Sequence, residues 1–276
     1  MLGAIAGDII GSIYENRPIK TKRFPLFSPG CTFTDDTVCT VAIADVLLGD
    51  GDFGHALRRY VRKYPGRGYG GLFREWAMAD DLPAYGSWGN GSAMRVSAVG
   101  FLARDDGEAL RLAAASSAVS HSHSDAIAGA QAVALAIHMA RRRADRTTIR
   151  RVLSERFGYD LSRSLDDLRP GYAFDISAAG TVPAALICAL DATDHEDAVR
   201  NAISLGGDAD TLACIAGGLG EALYGISERM ARETFERLDE RRYGFPEELD
   251  PDAPGFFEGR LLTVVEAFYR RLGALA

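Results

Sequence analysis

Glycine recurs at every fourth residue of the apolar segment that opens this chain, at Gly3, Gly7 and Gly11. A second small-residue ridge, Ala213, Gly217 and Gly220/Glu221, repeats the theme far down the sequence. Both segments carry a helical period. Glycine inside a helix costs up to about 1 kcal/mol per residue, and close approach of another helix is the usual compensation. The two ridges therefore predict central, tightly packed helices. On a neighbouring face of the first helix, Asp8, Ser12 and Glu15 form a polar stripe at spacings of four and three.

Nearly every other segment with a clear period also reads as helix: 2–13, 36–48, 53–63, 70–79, 92–103, 107–120, 124–142, 146–156, 181–190, 194–204, 210–223, 227–240 and 258–273. Strand-like alternation is scarce. Asn90-Gly91, the one Asn-Gly dipeptide, has loop on one side and helix on the other. An all-α fold follows. With 276 residues and 47% apolar content the chain can bury a large core, and no linker or low-complexity stretch marks a boundary. One domain spanning 1–276 is expected.

The balance of 31 basic against 38 acidic side chains gives −7, the wrong sign for a nucleic-acid backbone binder. The one basic run, Arg141 to Arg146, closes a helical pattern, where it complements the helix C-terminus and faces solvent. The four cysteines, Cys31, Cys39, Cys188 and Cys214, form no close pair and no metal-ligand spacing, so they read as buried free thiols of a reducing compartment. The first residues lack the basic leader of a signal peptide, and no apolar run approaches membrane-spanning length. A cytoplasmic protein without membrane attachment, acting as a monomer, is the expectation.

Two acidic clusters carry the chemistry. Thr34-Asp35-Asp36-Thr37 and Asp208-Ala209-Asp210-Thr211 lie about 170 residues apart, and each leads into a helical run. Hard divalent cations such as Mg²⁺ or Mn²⁺ take ligands of this all-oxygen, anionic kind. The simpler reading is two independent helix caps, and it stays open. A cap, however, does not need adjacent carboxylates, and carboxylate pairs brought together without a cation repel. A shared site for two cations about 3.5–4 Å apart fits the pair better.

Glycine-rich loops interrupt the helices at 65–71, 86–91 and 205–207. Gly89-Asn90-Gly91-Ser92-Ala93-Met94-Arg95 is either an ordinary turn or a backbone cradle for phosphate oxygens. It matches neither a Walker loop nor a dinucleotide fingerprint. Tyr85 and Trp88 before it can stack on a nucleobase or pack at a rim. In Ser120-His121-Ser122-His123-Ser124-Asp125 no third soft ligand accompanies the histidines, which argues against zinc. One histidine contacting a ligand hydroxyl or phosphate, with Asp125 as an N-cap-like acid, and a purely structural role both remain. The stretch 157–180 is the longest weakly patterned one, and a lid or binding segment is the expectation there.

Taken in order, these pieces resemble the ADP-ribosylglycohydrolase family over almost the whole chain. The resemblance rests on Gly7 to Glu15, Phe33 to Thr37, Gly86 to Val96, Ser120 to His123, Thr181 to Ala185 and Gly206 to Thr211. It implies a compact, orthogonal multi-helix fold with two Mg²⁺ or Mn²⁺ ions at the base of a cleft. By position, Thr34, Asp35 and Asp36 would bind metal from one side, and Asp208, Asp210 and Thr211 from the other, with Asp210 bridging. Glu15 matches a mobile glutamate that approaches the scissile bond. Trp88, Gly89, Asn90, Gly91, Ser92 and Met94 would wrap the nucleotide and its diphosphate, and His121 would contact the distal part of ADP-ribose. Ala209 stands where a threonine or serine is often found.

The implied reaction cleaves the bond between the anomeric carbon of ADP-ribose and an acceptor on a protein or a small conjugate, through an oxocarbenium-like transition state, and releases ADP-ribose. The metals anchor ribose hydroxyls and a water, while Glu15 or Asp36, beside Asp35, acts as base or stabilises charge. Two other classes compete. One is a non-catalytic ADP-ribose-binding member of the same fold; the other is a different metal-dependent hydrolase, such as a phosphoesterase, which would carry further histidine ligands. The acceptor linkage and the roles of Arg67 and Tyr69 stay open.

Overall fold

In the computed structural model, which describes residues 1–238 and 260–273, the helix that opens the chain and the helix that follows the second acidic cluster lie in backbone contact. α1 (Leu2–Gly11) is buried along its entire length, and α12 (Ala209–Tyr224) is buried from Ala209 to Glu221. A Cβ on Gly7 would stand 2.0 Å from the Ala213 carbonyl oxygen, and one on Gly3 would stand 2.5 Å from that of Gly217. The expected ridge pairing is therefore present, with one adjustment. Gly220 faces Ala198 and His195 of another helix, while Glu221 accepts from the Gly3 N–H at 2.7 Å.

Around this pair pack α2 (Asp35–Leu48), α3 (Phe53–Lys63), α4 (Gly71–Met78), α5 (Ser97–Leu102), α6 (Asp106–Ala118), α7 (Ser124–Arg141) and α8 (Arg146–Phe157). The short α9 (Leu165–Leu168), α10 (Ala178–Leu190), α11 (His195–Ile203), α13 (Glu228–Arg237) and α14 (Leu261–Gly273) complete the bundle. Among the described residues there is no strand, only an isolated bridge between Gly89 and Ser177. The fold is all-α. Residues 239–240 and 258–259 of the expected final helices lie outside the described residues. No described helix is long and apolar enough to cross a membrane.

Three expectations change. The helix expected over 92–103 is a 3₁₀ turn at Asn90–Ser92, a further turn, and then α5. The Met94 carbonyl accepts from Thr40 Oγ1 and Cys214 Sγ, which holds this stretch as a turn against α2 and α12. The first helix ends at Gly11, so Glu15 sits in the following turn rather than on the helical stripe. At α7 the cap is His123, whose Nδ1 accepts from the Asp125 N–H at 3.2 Å; Asp125 belongs to the first helical turn. All four cysteines are buried and free.

Candidate metal centre and substrate cleft

The contact between α1 and α12 fixes where the acids meet. A Cβ on Gly11 would lie 2.5 Å from the Asp210 Cα, so the end of α1 abuts the first turn of α12. One turn back on α1, Asp8 is fully buried. Its carboxylate accepts from the Thr34 N–H at 2.9 Å, the Thr34 hydroxyl at 2.6 Å, the Thr37 N–H at 3.1 Å and the Thr37 hydroxyl. Asp8 thus secures the N-terminus of α2 from a different helix, and these four donors occupy both its oxygens. Sequence reasoning placed Asp8 on a polar stripe but gave it no role at the site. The signal was one acid inside an otherwise apolar, glycine-ridged helix.

Carboxylate oxygens of Asp8, Asp36 and Asp210 lie within 4.8 Å of one another, as do those of Glu15, Asp208 and Asp210. Asp210 belongs to both groups. At α2 the cap reading also holds, since Thr34 is the N-cap and accepts from the Asp36 N–H at 3.3 Å. At α12 it does not. Asp208 occupies the N-cap position without a side-chain capping bond, and its Oδ2 accepts from Asn90 Nδ2 at 2.8 Å instead.

These groups fit divalent cations. Asp36 Oδ1 is buried with no hydrogen-bond partner, a state that an ionised carboxylate tolerates only beside a cation. Thr34 and Thr211 spend their hydroxyl protons on Asp8 and on Asp36 Oδ2 (3.3 Å) respectively, which leaves oxygen lone pairs available to a metal. Without one, the site resists ionisation. Burial first, then the charge of Asp8, pushes Asp35 up to about 8. Burial and neighbouring carboxylates raise Asp36 and Asp210 well above the ordinary range. Glu15 is raised too, by burial first and then by Asp208 and Asp8.

The carboxylates open onto a cleft of about 390 Å³, a size suited to a small-molecule ligand. Glu15, Thr34, Asp35, Asp36, Gly89, Asn90, Gly91, Met94, His121, Asp208, Asp210 and Thr211 all line it. Trp88 and Ser92 do not: Trp88 is 48% exposed, and the buried Ser92 hydroxyl donates to the Ala126 carbonyl. The glycine loop is held in place by an extended partner segment. Asn90 N–H donates to the Ile176 carbonyl at 2.8 Å, and Ala178 N–H to that of Trp88 at 3.0 Å.

That partner segment belongs to the weakly patterned stretch 157–180. It contains the capped turn α9, after which Phe174 and Ile176 reach the cleft wall. From loop 65–71, Gly68, Gly70 and Gly71 line the cleft beside Leu72. Arg67 and Tyr69 of this loop pack: the Arg67 guanidinium lies 3.9 Å over the Phe33 ring, and the Tyr69 hydroxyl donates to the Tyr64 carbonyl at 2.7 Å. Lys20 ties two of these segments together. Its ammonium donates to the carbonyls of Arg169 (2.9 Å), Tyr172 (2.5 Å) and Leu205. Next to Leu205, Gly206 has φ +65°, and a Cβ there would strike the Ile19 carbonyl at 2.9 Å.

A family model described as ADP-ribosylglycohydrolase matches residues 1–260. The ADP-ribosylhydrolase ARH3 of Mus musculus is 25% identical over 326 residues, covering 87% of this chain and 88% of its own length. The ADP-ribosylarginine hydrolase Tri1 of Pseudomonas putida (strain GB-1) is 26% identical, covering 88% of this chain and 80% of its own length. A solved structure titled "ADP-ribosylglycohydrolase-related protein complex" superposes with a TM-score of 0.66 at 23% identity, over 98% of this chain and 96% of that one. It shares the fold.

Proposed function

The chain belongs to the ADP-ribosylglycohydrolase family, and we propose that it is a metal-dependent ADP-ribosyl hydrolase. In this reading it cleaves the glycosidic bond between ADP-ribose and an acceptor, with protein arginine or serine the favoured classes, and so reverses mono-ADP-ribosylation. It acts as one domain over 1–276, as a cytoplasmic monomer. One observation carries the proposal: two remote acidic clusters converge at the floor of a cleft, where Asp36 Oδ1 is buried without a partner.

Thr34, Asp35 and Asp36 would hold Mg²⁺ or Mn²⁺ from the start of α2, and Asp208, Asp210 and Thr211 would hold it from the start of α12. Asp210 is the bridging candidate because it belongs to both carboxylate groups. When bound, two such cations supply positive charge that orients substrate hydroxyls and offsets charge developing at the reacting centre. Asn90 turns the Asp208 carboxylate through its 2.8 Å hydrogen bond. Asp8 fixes the start of α2, and with it the directions of Asp35 and Asp36.

Glu15 approaches Asp208 and Asp210 from the cleft side and is only partly buried. Its place on the cleft wall beside these carboxylates suits a general base that accepts the proton of an attacking water. Gly89 to Met94 receive the diphosphate along their backbone, with Gly91 leaving room beneath His121. Ser92 contributes main chain only, since its hydroxyl is committed to Ala126. Trp88, half-exposed beside this turn, offers a stacking face for the base.

The test is incubation with mono-ADP-ribosylated arginine and serine peptides, with and without chelator. Release of ADP-ribose that stops on metal removal is the expected result. Binding without release from either peptide would assign the chain to non-catalytic recognition instead.

A further inference from the structure

Arg95 lines the cleft and is completely buried. It forms no ion pair among the described residues, and its Nε and Nη1 have no hydrogen-bond partner. Its Nη2 donates to the Ser116 carbonyl at 2.6 Å and approaches Ser120 Oγ at 3.1 Å. A guanidinium offers donors only, so Ser120 Oγ is the acceptor in that contact. The hydroxyl proton of Ser120, itself fully buried, must then go elsewhere. His121 Nδ1, 2.9 Å away, is the acceptor within reach. The opposite assignment, with Nδ1–H donating, gives Ser120 Oγ two donors and strands its own proton.

Receiving that proton makes Nδ1 an acceptor, and the neutral ring then carries its hydrogen on Nε2. Nε2 hangs over the glycine turn: a Cβ on Gly91 would lie 2.9 Å from it, and one on Gly89 would lie 3.7 Å away. The ring cannot readily rotate. Phe73 and Tyr85 meet it edge-on at 6.0 and 5.8 Å between centroids, and Ser117 Oγ donates to the His121 carbonyl at 2.8 Å.

We propose that Arg95 and Ser120 are positioning residues that lock His121 as a neutral Nε2–H donor over the Gly89–Gly91 turn, so that the ligand group it takes is a phosphate oxygen. Burial, followed by the charge of Arg95, keeps the imidazole well below its ordinary protonation range, which supports the neutral form. The unpaired guanidinium beneath the cleft favours an anion over a neutral acceptor at the same place. The lock stands on hydrogen-bond geometry alone; only the identity of the phosphate ligand, the diphosphate of ADP-ribose, rests on the hydrolase reading.

The experiment is a two-bond ¹⁵N–¹H spectrum of the histidine-labelled full chain with Mg²⁺ at neutral pH, paired with calorimetric titration of ADP-ribose. The wild-type protein is expected to show His121 as the Nε2–H tautomer. Ser120→Ala is expected to show a tautomer mixture and to bind ADP-ribose about five- to tenfold more weakly, one neutral hydrogen bond's worth. Turnover at saturating substrate should change little. An Nδ1–H or imidazolium signature in the wild-type protein overturns the proposal. So does a Ser120→Ala variant with an unchanged tautomer and unchanged affinity. Should that variant fail to fold, the wild-type spectrum still decides. A wild-type protein that shows the Nε2–H tautomer and binds no ADP-ribose leaves the lock standing and overturns the hydrolase reading.

Discussion

The Thr211 hydroxyl donates to Asp36 Oδ2 at 3.3 Å, joining the first turns of two helices 175 residues apart in sequence. Around this bond the fold gathers acids that repel one another. Asp36 is 2% exposed and Asp210 is 5% exposed, so water screens neither. Such a cluster is a liability to folding and an asset to cation binding, and the two consequences can be measured separately.

Asp36→Asn replaces a carboxyl that must either repel its neighbours or take up a proton with a permanently neutral amide of the same shape. The metal-free protein should become more stable, with a melting temperature raised by about 2–4 °C per kcal/mol of relieved repulsion. Mg²⁺ should stabilise the wild-type protein, by about 2.7 kcal/mol at a hundredfold excess over its dissociation constant. It should stabilise the variant far less. Hydrolysis should fall by about 10²–10³-fold. Thermal melts with and without Mg²⁺, alongside turnover, check all three; a variant destabilised in chelator would argue against the crowded-charge picture.

The same groups give the metal-free protein an inverted pH response. Asp35 is pushed up to about 8, and Asp36 and Asp210 are raised well above the ordinary carboxylate range, by burial first and then by neighbouring carboxylates. A raised folded-state value means that the native protein holds more protons than the unfolded chain. Stability is then full below the ordinary carboxylate range near pH 4 and is lost as pH rises through about 8. In chelator the melting temperature should therefore decline between pH 5 and pH 8.5. Saturating Mg²⁺ should flatten or reverse that decline, because a cation favours the ionised carboxylates.

How far the sequence revealed this site follows from where its partners sit along the chain. Asp35, Asp36, Asp208 and Asp210 were legible because each pair is local and opens a helix, and the glycine ridge of α1 was legible because its period is four. Asp8 was visible only as a stripe residue, since its donors, Thr34 and Thr37, lie more than twenty positions away. The break between Asn90–Ser92 and α5 was hidden for a similar reason: the groups that hold the Met94 carbonyl come from α2 and α12. The Ser120 contact of Arg95 spans 25 residues and leaves no periodic trace. That the side chains of Trp88 and Ser92 lie off the cleft lining was hidden because sequence does not tell which way a turn presents its side chains.

Gly7→Ala tests the α1–α12 contact. The added methyl would sit 2.0 Å from a backbone carbonyl oxygen, where no flexible side chain can yield. Overpacking of this kind costs about 1–3 kcal/mol and sometimes more. Because the same contact sets Asp8 beside Asp36 and Asp210, hydrolysis should fall as well, and Mg²⁺ should bind more weakly. Gly273→Ala, on the exposed end of α14 with nothing within 4 Å of the new Cβ, is the control and should be neutral. Equal melting temperatures for the two variants would show that the helices can part without consequence.

Lys20→Met tests whether the cleft wall depends on a remote tether. The ammonium of Lys20 joins the carbonyls of Arg169 and Tyr172 to that of Leu205. The Tyr172 ring in turn covers Gly207, where a Cβ would meet it at 2.5 Å. The tether therefore links the segment that carries Phe174 and Ile176 to the turn that presents Asp208. The Arg169 and Tyr172 carbonyls lie near the surface and can be rehydrated in the variant, while that of the buried Leu205 loses a partner, so the stability loss should stay within about 1–3 kcal/mol. The kinetic signature should be larger in KM than in kcat, about tenfold against about twofold, because binding surfaces shift more than the carboxylates anchored on α2 and α12. Faster proteolysis within 169–176 should accompany it, and Lys20→Arg should restore most of the KM. A Lys20→Met enzyme with unaltered KM and unaltered proteolysis would mean that the wall is held by Tyr172 and the glycine turn alone.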